Sequence, residues 1–328
     1  MTSRPSTARS SREYSWLRRF AARRPLTAFL ILGMSLGYTL AFVWGLAYYG
    51  VIPGGALADA LHIAPDELVG AATLFGLFPA ALFVTWASDG RAGVRILLRR
   101  AFHWRVSPWW WLTVFFGLPI LTVGLALLLG DDLRPVNISS LVVSQLTLLF
   151  VNFIVTNLWE ETAWTGVFHT RLEERHNWLV AALLTAIPFA AMHLPLQFFL
   201  DQPVTLGSLA AAFALYLLLG LLVRPLLAVF RRGTGDSLLL VALLHSVFNR
   251  TNNQNGIAAT LLEGDARQLT MLIAVVVLTV ATAIAVRPRL SRQYGRASRA
   301  VEKHTGLAKQ SRPWRVRTWV QMTDRRDT

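Results

Sequence analysis

Two adjacent glutamates, Glu160 and Glu161, stand in the run Trp159-Glu-Glu-Thr-Ala-Trp-Thr-Gly166, where a strongly apolar stretch beginning near Ser140 ends. Two later apolar stretches each contain a single histidine: His193 closes Phe189-Ala-Ala-Met-His193, and His245 opens His245-Ser-Val-Phe-Asn249. Ionisable groups are costly in hydrocarbon, so several of them in such stretches face one another or a wet cavity and mark a functional site. These group types suit activation of a water molecule. A carboxylate serves as general base, an imidazole holds the water or a metal, and His or Asn donors stabilise the oxyanion of a tetrahedral intermediate. His245 and Asn249 are four apart and share a helix face. Glu160 and Glu161 diverge by about 100°, so one points to the centre while the other orients it or meets a neighbouring helix. Asn157 and Trp164 lie one turn from Glu161 and Glu160 respectively. The remaining histidines, His62, His103, His169, His176 and His304, fall in connections or tails, where a solvated role is the default.

The elements that position these groups follow from composition. Of 328 residues, 54% are hydrophobic and 15% charged, against roughly a quarter charged in soluble domains. This excludes an ordinary soluble protein. Apolar runs near the roughly 20 residues needed to cross a bilayer occur at about 26–48, 68–87, 108–129, 140–160, 178–199, 205–223, 237–252 and 268–286. The expected fold is therefore all-α, a polytopic membrane protein of about eight transmembrane helices. Residues 1–25 and 287–328 read as basic cytoplasmic tails around a membrane domain at 26–286. The first run is too long for a signal-peptide core and reads as a retained span.

The net charge of +14 does not indicate nucleic acid, because Lys and Arg gather at span boundaries and tails rather than on one domain. They set orientation instead. Arg18, Arg19, Arg23 and Arg24 precede the first span, Arg91 to Arg105 follow the second, Arg171 and Arg175 the fourth, and Arg224, Arg231 and Arg232 the sixth. Acidic connections alternate with these: Asp59, Asp66 and Glu67, then Asp131 and Asp132, then Asp201, then Glu263 and Asp265. The positive-inside rule then places both termini in the cytoplasm. Within 93–105, apolar residues at helical spacing against Arg95, Arg99 and Arg100 suggest a helix lying in the inner interface, followed by the aromatic belt Trp109-Trp110-Trp111. Pro79, Pro119 and Pro188 fall inside spans, where they kink helices and open space. The sequence contains no cysteine, which excludes disulfides, thiolate metal sites and cysteine nucleophiles.

Glu160-Glu161, Phe-x-x-x-His at 189–193 and His-x-x-x-Asn at 245–249, in this order and each on an apolar segment, resemble the CPBP family of intramembrane proteases. That family includes the CAAX prenyl endopeptidases and bacterial Abi-type bacteriocin-processing or self-immunity proteins. The resemblance covers about residues 140–252. It implies a CAAX-protease-like helical bundle with a conical cavity open to the cytoplasm, and catalytic roles for Glu160, Glu161, His193, His245 and Asn249. The implied activity is that of an endopeptidase cleaving a membrane-associated peptide or protein with glutamate- and histidine-activated water. The family's first motif reads Glu-Glu-x-x-x-Arg, and here Thr165 stands at the arginine position. Arg171 lies too far along the helix to replace it.

Glu160, His193 and His245 would satisfy the three-ligand rule for catalytic Zn²⁺, and the same groups can activate water without a metal; both readings stand. The implied partners are the lipid bilayer and a peptide or membrane-protein substrate, with no nucleic acid. The bias toward arginine over lysine suits a bacterial inner membrane. Two other functions fit the residues: an inactive scaffold or self-immunity protein of the same family, motivated by Thr165, and a proton-coupled transporter using the glutamates as a relay.

The charge alternation makes a direct prediction. Reporter fusions at Asp66, Asp131, Asp201 and Glu263 will read external, and fusions near Arg100, Arg175 and Arg232 internal; an external C-terminus would overturn the topology.

Overall fold

The eight apolar runs are helical over their described residues in the computed structural model, which describes residues 16–53, 72–199 and 204–287. The readings at Asp59, His62, Asp66, Glu67, Asp201 and His304, the start of the second run, and the greater part of both basic tails lie outside the described residues. The helices are α1 (Pro25–Tyr48), α2 (Phe78–Ala101), α3 (Pro108–Leu128), α4 (Ile138–Leu172), α5 (Trp178–Met192), α6 (Leu206–Gly233), α7 (Leu238–Asn252), the short α8 (Ile257–Leu261) and α9 (Arg267–Ala285). Local sequence marks their starts. Asn137, Asn177, Thr205 and Ser237 cap α4, α5, α6 and α7 by accepting the backbone N–H three residues on, which satisfies a donor that the first turn leaves open. Pro25 and Pro108 occupy the first turns of α1 and α3, where a missing N–H costs nothing.

Among the described residues, six helical segments are long and apolar enough to cross a membrane: 25–47, 108–128, 138–172, 178–198, 206–233 and 267–285. The chain is a multi-pass membrane protein. The other two predicted spans depart for physical reasons. α7 has only 15 residues, about 22 Å of helix, yet Leu238, Leu240, Val241, Ala242, Leu244 and Val247 are all buried. A helix apolar on all sides is an interior helix, and α7 is surrounded by protein rather than lipid. α2 carries arginines in its second half and is broken at Gly90, whose φ of 66° and ψ of −165° are open to glycine and strained for other residues. Residues 91–101 are thus a separate rod, as the amphipathic reading of 93–105 expects.

A second span boundary also moves. α6 continues past the expected end at 223 to Gly233, so Arg224 and Arg231 lie within the helix and are buried, not in a connection. Arg250 is likewise buried near the end of α7, where it donates to Gln145 and Asn255. At the opposite end from Gly233, Asp132–Leu133 pair antiparallel with Leu262–Glu263 in a two-stranded ribbon that joins the ends of α3 and α8. Acidic residues gather there and arginines at the other end, which matches the charge alternation in the sequence.

One helix crossing depends on glycine. α1 packs against a π-helical turn at Thr73–Leu77 that precedes α2. A Cβ on Gly76 would stand 2.8 Å from the Gly37 nitrogen, so the two backbones meet without side chains between them. Gly124 in α3 has nothing within 4 Å of such a Cβ. Gly76→Ala will therefore destabilise the protein in detergent unfolding, by about 1–3 kcal/mol of overpacking, whereas Gly124→Ala will leave stability unchanged or raise it. Equal effects of the two substitutions would refute close backbone contact at Gly76.

Candidate active site

The glutamates sit between two interruptions of α4. Residues 153–157 and 164–169 are π-helical, a geometry that appears mostly as local bulges near functional sites. Wider turns detach carbonyls from the i−4 ladder, and side chains satisfy them. Trp159 Nε1 donates to the Ile154 carbonyl at 2.7 Å, and Thr170 Oγ1 to the Thr165 carbonyl at 2.9 Å, each spanning five residues. Between the bulges both glutamates are buried, with side chains only 3% and 0% exposed, so neither faces lipid. The expectation that one is central and the other orients or contacts a neighbour is answered by their partners.

Glu161 is engaged through both oxygens. Its Oε1 accepts His245 Nδ1 at 2.7 Å, and its Oε2 accepts Arg224 Nη1 at 2.9 Å and Thr165 Oγ1 at 2.5 Å. One carboxylate thereby joins α4, α6 and α7. Glu160 is held more lightly: Asn157 Nδ2 donates to its Oε2 at 3.1 Å, and His245 Nδ1 stands 3.7 Å from the same oxygen. Among the described residues nothing donates to Glu160 Oε1. Asn157 in turn accepts from Ser246 Oγ at 2.9 Å and, at 3.4 Å, from Asn249 Nδ2, which also reaches Asn152 at 3.4 Å.

His193 stands at the C-terminal end of α5, its Nδ1 held 2.8 Å from the Phe189 carbonyl. Its ring centroid lies 4.5 Å from that of Phe189, and the His245 centroid lies 6.0 Å from the same Phe189 ring. The two histidines therefore share a neighbour. Carboxylate and carbonyl oxygens only accept, so both Nδ1 atoms donate, and the neutral form of either ring then presents Nε2 as a lone pair.

Ligand atoms of Glu160, Glu161 and His245 lie within 4.8 Å of one another, a buried group that could hold a metal ion. His193 is not in this group. Three donors, His245, Arg224 and Thr165, already engage the oxygens of Glu161, which leaves Oε1 able to take one further partner.

Arg224 is the residue that sequence reasoning missed. Its guanidinium pairs with Glu161 at 2.9 Å, lies 3.5 Å from Thr165 Oγ1, and stacks 4.0 Å from the centre of the Phe189 ring. Among the described residues its Nε and Nη2 have no hydrogen-bond partner. The guanidinium thus reaches the neighbourhood of Thr165 from α6. Arg171 is occupied elsewhere, donating to Ser88 and Asp89 at the turn before Gly90. An arginine followed by Pro225-Leu-Leu-Ala-Val-Phe, an apolar continuation rather than a loop, was the available signal.

Toward the arginine-rich end, Glu173 binds His169 at 2.9 Å, Arg232 at 3.0 Å and Arg231. Burial pushes the Glu173 carboxyl upward, but the His169 hydrogen bond and the arginine charges outweigh it and hold the group well below the usual carboxylate range. A depressed carboxyl contributes stability that is present above its unfolded value and is lost as pH falls through the folded one.

Removing one partner of a buried pair strands the other charge, at a cost of about 3–5 kcal/mol. Arg224→Met will accordingly destabilise the protein by that order in detergent unfolding, and adding Glu161→Gln will restore much of the loss. Purely additive effects of the two substitutions would show that the pair is not coupled.

Residues 142–251 match the Rce1-like family, described as type II CAAX prenyl endopeptidase Rce1-like. Comparison with curated proteins finds no match. The matched stretch runs from within α4 to the end of α7 and contains Glu160, Glu161, His193, Arg224, His245 and Asn249. Over this core, 110 of the 328 residues, the multi-pass membrane chain is similar to the CAAX-protease-like family.

Proposed function

We propose that the protein is an intramembrane endopeptidase that hydrolyses a peptide bond of a membrane-associated protein or peptide, with Glu160 as general base. The observation that carries this reading is the unequal engagement of the two glutamates. Glu161 is bonded through both oxygens to His245, Arg224 and Thr165, whereas Glu160 Oε1 has no donor among the described residues. Glu161 is then the positioning carboxylate: it fixes the tautomer and direction of His245, as outer carboxylates do for functional imidazoles. Glu160 Oε1 takes the proton from water, His193 Nε2 holds that water, and Asn249 Nδ2 turns to donate to the oxyanion of the tetrahedral intermediate. The proton then passes from Glu160 to the leaving amine.

A divalent cation, Zn²⁺ by the three-ligand rule, would be held by the buried donors Glu160, Glu161 and His245, which lie within 4.8 Å of one another; the set read from the sequence had His193 in place of Glu161. Such an ion supplies Lewis acidity and lowers the pKa of bound water. The segregation of arginines at the Gly233 end supports a bundle with both termini in the cytoplasm of a cell whose inner membrane it spans. The substrate is a peptide segment that enters from that side.

Purified protein in detergent will cleave membrane-anchored peptides, followed by mass spectrometry of the products. Glu160→Gln or His193→Ala will abolish turnover, Asn249→Ala will cost on the order of 10²–10³-fold, and Thr165→Ala will cost less. Cleavage that persists in the Glu160→Gln/Glu161→Gln variant, with melting matched to the parent, would remove the carboxylates from the mechanism.

A further inference from the structure

A groove of about 570 Å³ opens at the arginine-rich end of the bundle, where the end of α2 meets the turn between α6 and α7. Its polar wall is Arg99, Arg100, Arg105, His103 and Asp236. The charges do not cancel. Asp236, held at a φ of 76° unusual for a non-glycine residue, is already shared between Arg100 Nε at 2.6 Å and Arg231 Nη1 at 3.0 Å. Arg99 and Arg105 are exposed, and among the described residues neither pairs with a carboxylate. The Arg105 guanidinium instead lies 5.4 Å from the centre of the Trp104 ring.

The other wall is apolar and open: Ile96, Phe102 and Trp104 are 57%, 52% and 60% exposed. A cationic recess beside exposed apolar side chains, at the end of membrane-crossing helices, has two demands. It needs an anion for the arginines and hydrocarbon for the wall. Arginine recognises phosphate through its planar fork, and basic pockets between transmembrane helices on the cytoplasmic side accept lipid headgroups.

We infer that this groove binds one anionic glycerophospholipid, its phosphate between Arg99 and Arg105 and its acyl chains along Ile96, Phe102 and Trp104. A soluble phosphate would satisfy the arginines alone and leave the apolar wall without a role. Arg100 belongs to the floor rather than the grip, because it also donates to the Gly166 carbonyl at 3.0 Å and to Thr170 Oγ1 at 3.2 Å on α4. The site is separate from Glu160 and Glu161 and stands whether or not the protein is a protease.

Native mass spectrometry of the full chain released from detergent tests it. Titration with phosphatidylglycerol and phosphatidylcholine of identical chains will show one phosphatidylglycerol retained with at least about tenfold preference. Arg99→Gln/Arg105→Gln will lose that preference with unchanged melting, and Arg99→Lys/Arg105→Lys will keep part of it. Millimolar inorganic phosphate will not displace the lipid. Equal retention of the two lipids, or a preference untouched in the double Gln variant, would overturn the site; displacement by inorganic phosphate would overturn its assignment to lipid.

Discussion

A fully buried carboxylate in a membrane bundle is stable only where other charges and donors surround it, and Glu161 is surrounded by three helices that each bring one. Arg224 arrives from α6, His245 from α7, and Thr165 from one turn further along α4 itself. An isolated ionised group in such a place carries a desolvation cost of several kcal/mol. The geometry that offsets this cost also fixes the relative positions of α4, α6 and α7. The same bond that neutralises Glu161 orients His245, so stability and the geometry of the site have a common origin. Glu160, one residue earlier, is left with a free oxygen because its neighbour has already taken the arginine and the hydroxyl.

Two successive residues can both face protein because α4 is enclosed on all sides around them. Glu160 and Glu161 lie in the α-helical stretch Leu158–Ala163 and diverge by about 100°, so a helix exposed to lipid on one side would turn one of them outward. Extra residues at 153–157 and 164–169 shift the register before and after the pair, and Trp159 and Thr170 satisfy the carbonyls released. α4 can then present lipid-facing residues such as Phe150 and Val151 in its first half and be enclosed from Leu158 to His169. The enclosure by α7 matters equally. A helix too short to span the bilayer by itself places His245 and Asn249 in the interior, with Ser246 between them bonded to Asn157.

Much of this arrangement was legible in the sequence. The helices follow from the eight apolar runs, and Glu160, Glu161, His193, His245 and Asn249 stand out because hydrocarbon penalises them. The separate helix after residue 90 is signalled by Ser88-Asp89-Gly90 and the change from apolar to amphipathic spacing. What escaped was of two kinds. The π turns have no distinctive local composition, since they arise from how α4 packs rather than from propensity. Arg224 was misplaced because an arginine next to a proline reads as the end of a span, while its partner Glu161 is 63 residues away, beyond the reach of any periodicity.

Arg224 also bears on what the threonine at 165 means. A missing arginine beside the glutamates would suggest a site that has lost its cation, and with it the power to keep Glu161 charged. Here the guanidinium comes from α6, and Thr165 is small enough to admit it while donating its own hydroxyl to the same oxygen. An arginine at 165 would place two guanidinium groups on one carboxylate in a space closed by Phe189. The small residue at 165 and the cation at 224 are therefore complementary parts of one solution. Thr165 by itself is no argument for an inactive site, because the charge needed at Glu161 is present.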